Sequence, residues 1–523
     1  MRSKRTVPIV FTGYQAVVPS VGRVIQTLSV RTPLVLAILP LLAACGGGGG
    51  SDSSAGSTGS VVITQPAPAP TPTPSPSPST GTGATGVDAS ALPADAAAIP
   101  IVFAATDLPR RSIPYEIGVA THFAYAQKSG YDPATAARWI DDLSATAFRD
   151  DIYWNAFAPD WDLNGSHLPQ ALTDFMGRTT ARPMLILNNG NPAIPGTEPP
   201  IEPAARAAFA KFAQRAVAAT AGRNALYEIW NEWNITAARE RPMLTSTGDA
   251  DDPRASRYYA ALAIDTAKAI KEASANAKVV IGAGGNDEEW DWISDVVARG
   301  AAKQADGVSV HLYNHCTRAD LRTATVAIQR LMRLHLRLMQ ANTGLTIPIY
   351  ISEWGWPTGT LTCSVPDAVV ATNVPQFLLH TAALPWIGGS WFYELKDSST
   401  DLSDIESRFG LYDAGGTAKA GRCGFADAAR LIRESTAMAV DSVTPAMTVI
   451  RIVTPRGLQV VAWSTVPGKQ GRLTIGGTAA YTARTLCQSA AASPSADRIV
   501  PVGEMPVVID MPGAAKLGVA VRI

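Results

Sequence analysis

The chain has 523 residues, which is enough for two or three domains that each bury a sizeable core. Its 44 basic and 44 acidic residues cancel, so no strong field attracts nucleic acid or an anionic surface. The composition therefore argues against a nucleic-acid partner and fits a neutral polysaccharide or a small neutral ligand better.

The N-terminal segment, residues 1–45, has the features of an export signal. Arg23 and Arg31 precede an apolar run at residues 33–45 that is too short and too interrupted by proline for a membrane span. This run ends in LAAC, which resembles the lipobox of bacterial lipoproteins. The resemblance implies acylation of Cys45 and a lipid anchor in the membrane, and an ordinary secretory peptide with a chance cysteine is the alternative.

Residues 46–105 are predicted to be a flexible linker. They begin with a glycine run, and residues 65–80, QPAPAPTPTPSPSPST, favour an extended polyproline II conformation. At about 3.1 Å per residue, those residues would span roughly 50 Å and hold the folded part away from a membrane. Gly46, rather than aspartate, follows Cys45, which resembles the signal for sorting to the outer membrane. We therefore expect an exported protein at the outer membrane, the cell surface or the periplasm.

Residues 106–434 alternate short apolar runs with longer amphipathic runs. The eight apolar runs contain YEIGVATHF, TAFRDDIYW, RPMLILNNG, ALYEIWNE, AKVVIGAGG, DGVSVHLY, TIPIYISEWG and GGSWFYELKD. Such alternation indicates an α/β fold with a parallel sheet covered by helices, and eight units predict a closed (β/α)8 TIM barrel. A doubly wound open sheet is the alternative, but no glycine-rich phosphate loop opens any of these helices.

Residues 435–523 contain only short apolar runs between turn residues, which predicts a small C-terminal β-sandwich domain. This domain could bind carbohydrate or brace the barrel. Bracing is favoured, because Trp463 and Tyr481 are the only large aromatic residues on the predicted strands.

Two glutamates follow apolar strands of the predicted barrel, and each precedes a tryptophan. Glu232 lies in IWNEW at the end of the fourth strand, and Glu353 lies in YISEWGW at the end of the seventh. Catalytic groups of TIM barrels lie at these C-terminal strand ends. Retaining glycoside hydrolysis needs such a carboxylate pair, about 5–5.5 Å apart. The alternative is that each glutamate is only a local salt-bridge partner.

The motifs IWNE and ISEWGW resemble the acid/base and nucleophile motifs of clan A glycoside hydrolases. The longer YEIWNEWN most resembles family 39 and its bacterial exopolysaccharide endoglycosidases, and RFGLYDAGGTAKAG is also similar to that clan. The resemblance covers roughly residues 110–430. It implies that Glu232 is the acid/base and Glu353 the nucleophile, and that no cofactor is needed.

The resemblance also implies roles for three neighbouring residues. Asn231 would hydrogen-bond the sugar 2-hydroxyl, Arg149 would keep the nucleophile ionised, and Tyr313 would contact the nucleophile. The chain departs from the related motif at Trp233, where proline often stands, and this changes the local loop and the subsite that it lines.

Further substrate-binding residues are predicted at the strand ends. His122 and His311 follow the first and sixth strands, and a set of tryptophans offers apolar platforms for pyranose rings: Trp154, Trp233, Trp354, Trp356 and Trp391. We expect two or three of these indoles in the cleft. A metal site built from His311, His315 and Cys316 is an alternative, but no fourth ligand is evident, so no metal is predicted.

Four cysteines remain after Cys45, an even number that permits two disulfides in an exported chain. The favoured pairs are Cys316–Cys363, in consecutive loops beside the nucleophile, and Cys423–Cys487, between the two domains. Four free thiols are the alternative.

The sequence therefore predicts a retaining β-glycosidase that acts on an extracellular or periplasmic polysaccharide or oligosaccharide, as a monomer on a lipid anchor. A non-catalytic carbohydrate-binding lipoprotein and a transglycosylase in polysaccharide assembly are the alternatives.

Overall fold

The computed structural model describes residues 99–124, 130–158, 167–235, 255–285, 287–341, 346–444, 446–488 and 495–522. The predicted signal segment, Cys45 and nearly all of the predicted linker lie outside these residues. Within the described part of the chain, no helix is both long and apolar enough to cross a membrane.

A first strand, β1 (Ile99–Ala104), precedes a closed barrel of eight parallel strands. The barrel strands, which neighbour one another in chain order, are β2 (Glu116–Ala120), β3 (Ala147–Tyr153), β4 (Arg182–Asn188), β5 (Leu226–Ile229), β6 (Lys278–Gly284), β7 (Gly307–His311), β8 (Ile349–Trp354) and β9 (Ile387–Phe392). The helices are α1 (Pro133–Asp142), α2 (Trp154–Phe157), α3 (Gln170–Met176), α4 (Pro203–Ala219), α5 (Ser256–Ala273), α6 (Asp291–Ala298), α7 (Ala324–Ala341), α8 (Asp367–Ala383) and α9 (Ala420–Glu434). The predicted TIM barrel is thereby confirmed.

The lower part of the barrel interior is filled by side chains rather than open. One buried layer consists of Ala147, Met184, Leu226, Val280, Tyr350 and Trp391. Trp391 pairs in register with Gly118 of β2, and a Cβ at Gly118 would collide with the indole ring. The glycine therefore makes room for the largest side chain of the barrel floor.

The predicted C-terminal β-sandwich is also confirmed. Its strands are β10 (Ala437–Thr444), β11 (Met447–Thr454), β12 (Gly457–Ser464), β13 (Gly471–Ile475), β14 (Thr482–Thr485), β15 (Ile499–Val502), β16 (Val507–Pro512) and β17 (Lys516–Arg522). They form one sheet in the order β1-β17-β13-β15 and a second in the order β10-β11-β12-β16-β14, both antiparallel.

The structure corrects the predicted end of the linker at residue 105. Residues 99–104 form β1, which pairs with β17 along its whole length. Ile101 and Phe103 point into the sandwich core, with 8% and 0% of their surface exposed. Because β1 is supplied by the chain before the barrel, the sandwich is completed by both ends of the folded region.

The five-stranded sheet packs against the barrel helices on its other face. Trp463, Val461 and Val508 belong to the same buried cluster as Phe377 of α8 and Phe425 of α9. This packing is what a bracing domain requires, because it covers an apolar helix surface that would otherwise face water.

The structure joins Cys316 to Cys363 and Cys423 to Cys487, the pairing that the sequence favoured. The first disulfide links the loops that follow β7 and β8. The second links α9 to the segment after β14, so it fastens the barrel to the sandwich.

Candidate active site

Glu232 lies just beyond β5, where the backbone leaves regular strand geometry. Trp230 and Glu232 both have left-handed backbone angles, with φ of 65° and 48°. Such angles cost about 1–3 kcal/mol each in residues with bulky side chains, and they cluster at functional sites. The amide of Glu232 donates to the carbonyl of Ala283 at 2.9 Å, which fixes this irregular segment against the end of β6.

The carboxylate of Glu232 reaches the barrel mouth and keeps a quarter of its surface exposed. Its Oε1 atom lies 2.9 Å from Nδ1 of His311, and its side chain is 25% exposed. A Cβ at Gly285 would collide with this same oxygen. The glycine after β6 therefore leaves the space that the carboxylate occupies.

Glu353, on β8, is held by two hydrogen-bond donors and by an ion-pair contact with His311. Arg149 Nη1 donates to its Oε1 at 2.6 Å, the Tyr313 hydroxyl donates to its Oε2 at 2.7 Å, and His311 Nδ1 lies 3.3 Å from Oε2. Burial alone would raise the pKa of Glu353, but His311, Arg149 and the Tyr313 hydrogen bond lower it below the ordinary value. Glu353 is therefore kept ionised.

Arg149 is the central cation of the site, and 3% of it is exposed. Besides Glu353, it binds Glu228 through Nε at 2.7 Å and Asn231 through Nη2 at 2.8 Å. Burial alone would lower the pKa of Arg149, but Glu228 and Glu353 raise it above the ordinary value. The arginine thus stays charged and connects the strands that carry the two candidate catalytic glutamates.

His311 bridges the two glutamates. One oxygen of Glu232, one oxygen of Glu353 and a ring nitrogen of His311 all lie within 4.8 Å of one another. Burial lowers the pKa of His311, but the carboxylates of Glu353 and Glu232 outweigh it and raise the pKa above the ordinary value. The two carboxylates therefore face the same small space at the barrel mouth.

His122 and Tyr393 form another wall of the mouth. Their rings are 5.5 Å apart, and His122 Nε2 lies 3.1 Å from Oε2 of the buried Glu394. Burial opposes the charge on His122, but Glu394, together with Asp150 and Asp151, raises its pKa to about 8. His122 therefore presents a cationic edge, 20% exposed, near the tyrosine.

The prediction that tryptophans line the cleft as platforms for sugar rings is wrong. All five indoles are buried, with exposed fractions of 0–2% for Trp154, Trp233, Trp354, Trp356 and Trp391. Trp354 stacks on Phe377 of α8, with ring centroids 4.3 Å apart. Trp233 packs against Trp230 and Tyr259 at 5.2 and 5.8 Å. Four of these rings fill the core between barrel and helices and Trp391 fills the barrel floor, so none of the five stacks on a sugar in the cleft.

The half-buried aromatic groups beside Glu353 are tyrosines instead. Tyr313 and Tyr393 are partly exposed, and their ring centroids are 6.5 Å apart. Tyr393 lies in the last apolar run of the sequence, GGSWFYELKD, where no role was predicted for it. Glu228 and Gly285 were also missed, although the position of Glu228, in the fourth apolar run and four residues before Glu232, is a signal that could have found the former.

A metal ion is a poor fit to the groups that could bind one. Glu232, His311 and Glu353 are close enough to share an ion, but Arg149 already donates to Glu353, and its charge opposes a second cation. The site proposed as an alternative from the sequence loses one ligand, because the Cys316 sulfur is bonded to Cys363.

Comparison with known proteins identifies the fold. Neither a protein-family model nor a curated protein sequence matches the chain. Among solved structures, a family 39 glycoside hydrolase from Bacteroides cellulosilyticus aligns with a TM-score of 0.59 and 16% identity, over 76% of this chain and 81% of that one. The chain has the fold of family 39 glycoside hydrolases. The predicted resemblance is thereby confirmed at the level of the fold.

Two further solved structures share this fold. A monomeric β-xylosidase from Caulobacter crescentus aligns with a TM-score of 0.50 and 12% identity, over 78% of this chain and 97% of that one. A conserved exported protein from Bacteroides fragilis aligns with a TM-score of 0.53 and 12% identity, over 80% of this chain and 100% of that one.

Proposed function

We propose that the protein is a retaining glycosidase that cleaves β-glycosidic bonds in an extracellular or periplasmic polysaccharide. One observation carries the proposal: Glu232 and Glu353 have carboxylate oxygens within 4.8 Å of each other at the mouth of the barrel. The family 39 fold is compatible with this activity.

The proposed reaction has two steps. In the first, a Glu353 oxygen forms a bond to the anomeric carbon while the bond to the leaving oxygen breaks, and Glu232 gives that oxygen its proton. In the second, Glu232 takes a proton from water, and the water oxygen displaces Glu353 from the sugar. Two inversions restore the original configuration.

The surrounding residues support these roles by their contacts. Arg149 and Tyr313 hold Glu353 ionised and fixed in position, as a nucleophile requires. His311 touches Glu232 and Glu353 and orients them toward each other. The Asn231 side-chain oxygen accepts from Arg149, which fixes this amide beside the nucleophile, where it would contact the sugar 2-hydroxyl.

Replacing Glu232 by Ala should slow cleavage according to the leaving group. For aryl β-glycosides with poor leaving groups, we expect kcat to fall about 10²–10⁴-fold, because protonation by Glu232 is lost. Substrates with strongly acidic leaving groups should form the intermediate almost as fast as before. Added azide should restore turnover and give a β-glycosyl azide.

The control for this experiment is Glu272→Ala, on the exposed face of α5, where the glutamate side chain is 58% exposed. It should leave activity unchanged. Equal losses of kcat/KM for all leaving groups, or an α-glycosyl azide, would contradict the assignment of Glu232. A complete absence of turnover by the unaltered protein on β-linked glycans would favour the carbohydrate-binding alternative, and products longer than the substrate would favour the transglycosylase.

We further propose that the protein is exported and lipid-anchored through Cys45 and acts as a monomer. The support is the LAAC motif followed by the glycine- and proline-rich segment. The variant Cys45→Ala should lose incorporation of labelled fatty acid and move from the membrane fraction to the soluble exported fraction. Unchanged fatty-acid labelling of that variant would refute the anchor.

A further inference from the structure

Glu228 is a further carboxylate in the barrel interior, and the two reaction steps do not use it. It lies on β5, has 0% of its surface exposed and cannot touch a substrate in the cleft. Its Oε2 accepts from Arg149 Nε at 2.7 Å. Its Oε1 has no hydrogen-bond partner among the described residues. Arg149 is therefore the cation on which the buried Glu228 depends.

The contact to Glu228 fixes the plane of the Arg149 guanidinium. A guanidinium group is planar and rigid, so a hydrogen bond that fixes the direction of its Nε–H also fixes the directions of its other N–H groups. With Nε bound to Glu228, Nη1 points at Glu353 and Nη2 at Asn231. The Arg149–Glu228 hydrogen bond, below the cleft, thus directs the two hydrogen bonds that Arg149 donates to Glu353 and Asn231.

The contact also divides one positive charge between two carboxylates. Arg149 pairs with Glu228 at 2.7 Å and with Glu353 at 2.6 Å, and both carboxylates are buried. The negative charge of Glu228 therefore weakens the attraction that Arg149 exerts on Glu353, and in a poorly solvated interior this effect is large.

Other charged or titratable groups also face Glu353 and remain in place when Glu228 is altered. They come from β3, from the segment after β5, from β7 and the loop after it, and from the loops after β9: Arg149, Asp151, Glu232, His311, Tyr313, Tyr393 and Glu406. A change confined to Glu228 therefore isolates its own charge.

We propose that Glu228 is a positioning residue: it aims the Arg149 fork at Glu353 and Asn231, and its charge sets the pH at which Glu353 ionises. Only the expected effect on turnover rests on the proposed function. The geometry and the charge sharing hold whether or not a glycan is cleaved.

The variant Glu228→Gln tests the charge, because its side-chain oxygen can still accept from Arg149 Nε. Removing the negative charge strengthens the hold of Arg149 on the Glu353 carboxylate. We expect the Glu353 carboxyl to titrate about one pH unit lower than in the unaltered protein. The measurement is a ¹³C NMR titration of side-chain carboxyls in the full-length protein, with the Glu353 signal assigned by its loss in Glu353→Gln.

The acidic limb of the pH profile of kcat/KM should move in the same direction by a similar amount. The matched control is Glu116→Gln, which removes a Glu–Arg pair at the other end of the barrel, where Arg182 Nη1 lies 3.0 Å from Glu116 Oε1. That variant should leave both the titration and the profile unchanged.

A Glu353 titration that stays in place or moves to higher pH in Glu228→Gln would overturn the proposal. Because the titration needs no substrate, this result is distinct from a failure of the proposed glycosidase activity. The variant Glu228→Leu tests the aiming role, since it removes the acceptor as well as the charge. At its pH optimum, kcat should fall at least about 10-fold below that of Glu228→Gln, whereas equal values would refute that role.

Discussion

Replacing Glu353 by Gln should reduce kcat on the order of 10⁴-fold or more, while the protein stays folded. The amide has the shape of the carboxylate but cannot form the bond to the anomeric carbon, and covalent catalysis loses its whole first step with its nucleophile. The Tyr313 hydrogen bond, at 2.7 Å in the unaltered protein, can still be made to the amide oxygen. Steady-state kinetics on a cleaved aryl β-glycoside measure the loss.

A trapping experiment serves as the positive control for that variant. A 2-deoxy-2-fluoro glycoside with a good leaving group slows breakdown of the intermediate, so the unaltered protein should gain the mass of one sugar. Peptide mapping should find the sugar on Glu353 and none on the Glu353→Gln protein. A label on another carboxylate, or wild-type turnover by the variant, would remove Glu353 from the nucleophile role.

Replacing Arg149 by Leu should lower the free energy of unfolding by about 3–5 kcal/mol at neutral pH. The reason is that Glu228 and Glu353, both buried, would lose their shared cation. Chemical denaturation with the disulfides intact measures the change. The variant should also lose most activity, because Glu353 would no longer be held ionised.

The pH dependence of this destabilisation has a definite sign. The pKa of Glu353 is lowered in the folded protein, so its ionised form contributes stability above the pKa of the unfolded chain. That contribution disappears as pH falls through the folded-state pKa, so the difference in unfolding free energy between Arg149→Leu and the unaltered protein should shrink in acid.

The control Arg182→Leu breaks a partly exposed pair, with side chains 21% and 14% exposed. It should cost only about 0–1 kcal/mol. An equal cost for both variants would show that burial of the Arg149 cluster does not matter.

The barrel and the two glutamates were predictable because each leaves a local pattern. A strand buried on both faces is a continuous apolar run, and a covering helix is amphipathic, so eight alternations give the fold directly. A carboxylate directly after such a run stands out, as Glu232 and Glu353 do. The Cys316–Cys363 pair followed from the same order of elements, because consecutive loops of a barrel are neighbours.

The tryptophans were mispredicted because adjacency in sequence is not adjacency in space. Neighbouring residues of a strand point to opposite faces, so Glu353 and Trp354 cannot both line the cleft. Glu353 faces the barrel mouth, and Trp354 stacks on α8. Trp391 does point into the barrel, but it lies two residues before Tyr393, the residue that reaches the mouth. It therefore fills the barrel floor beside Gly118.

By itself, the sequence determined the alternation of strands and helices, the position of each glutamate at the end of a strand and the cysteines available for pairing. Which face each glutamate occupies was decided only by the tertiary structure. The pairing register shifts between Ile351 and Trp354, and Trp230 and Glu232 adopt left-handed backbone angles. Irregularities of this kind re-aim side chains at active sites, and they depend on hydrogen bonds to neighbouring strands that are distant in sequence. The sharing of Arg149 between Glu228 and Glu353 has the same origin, because three strands must close into a barrel before one guanidinium can reach both carboxylates.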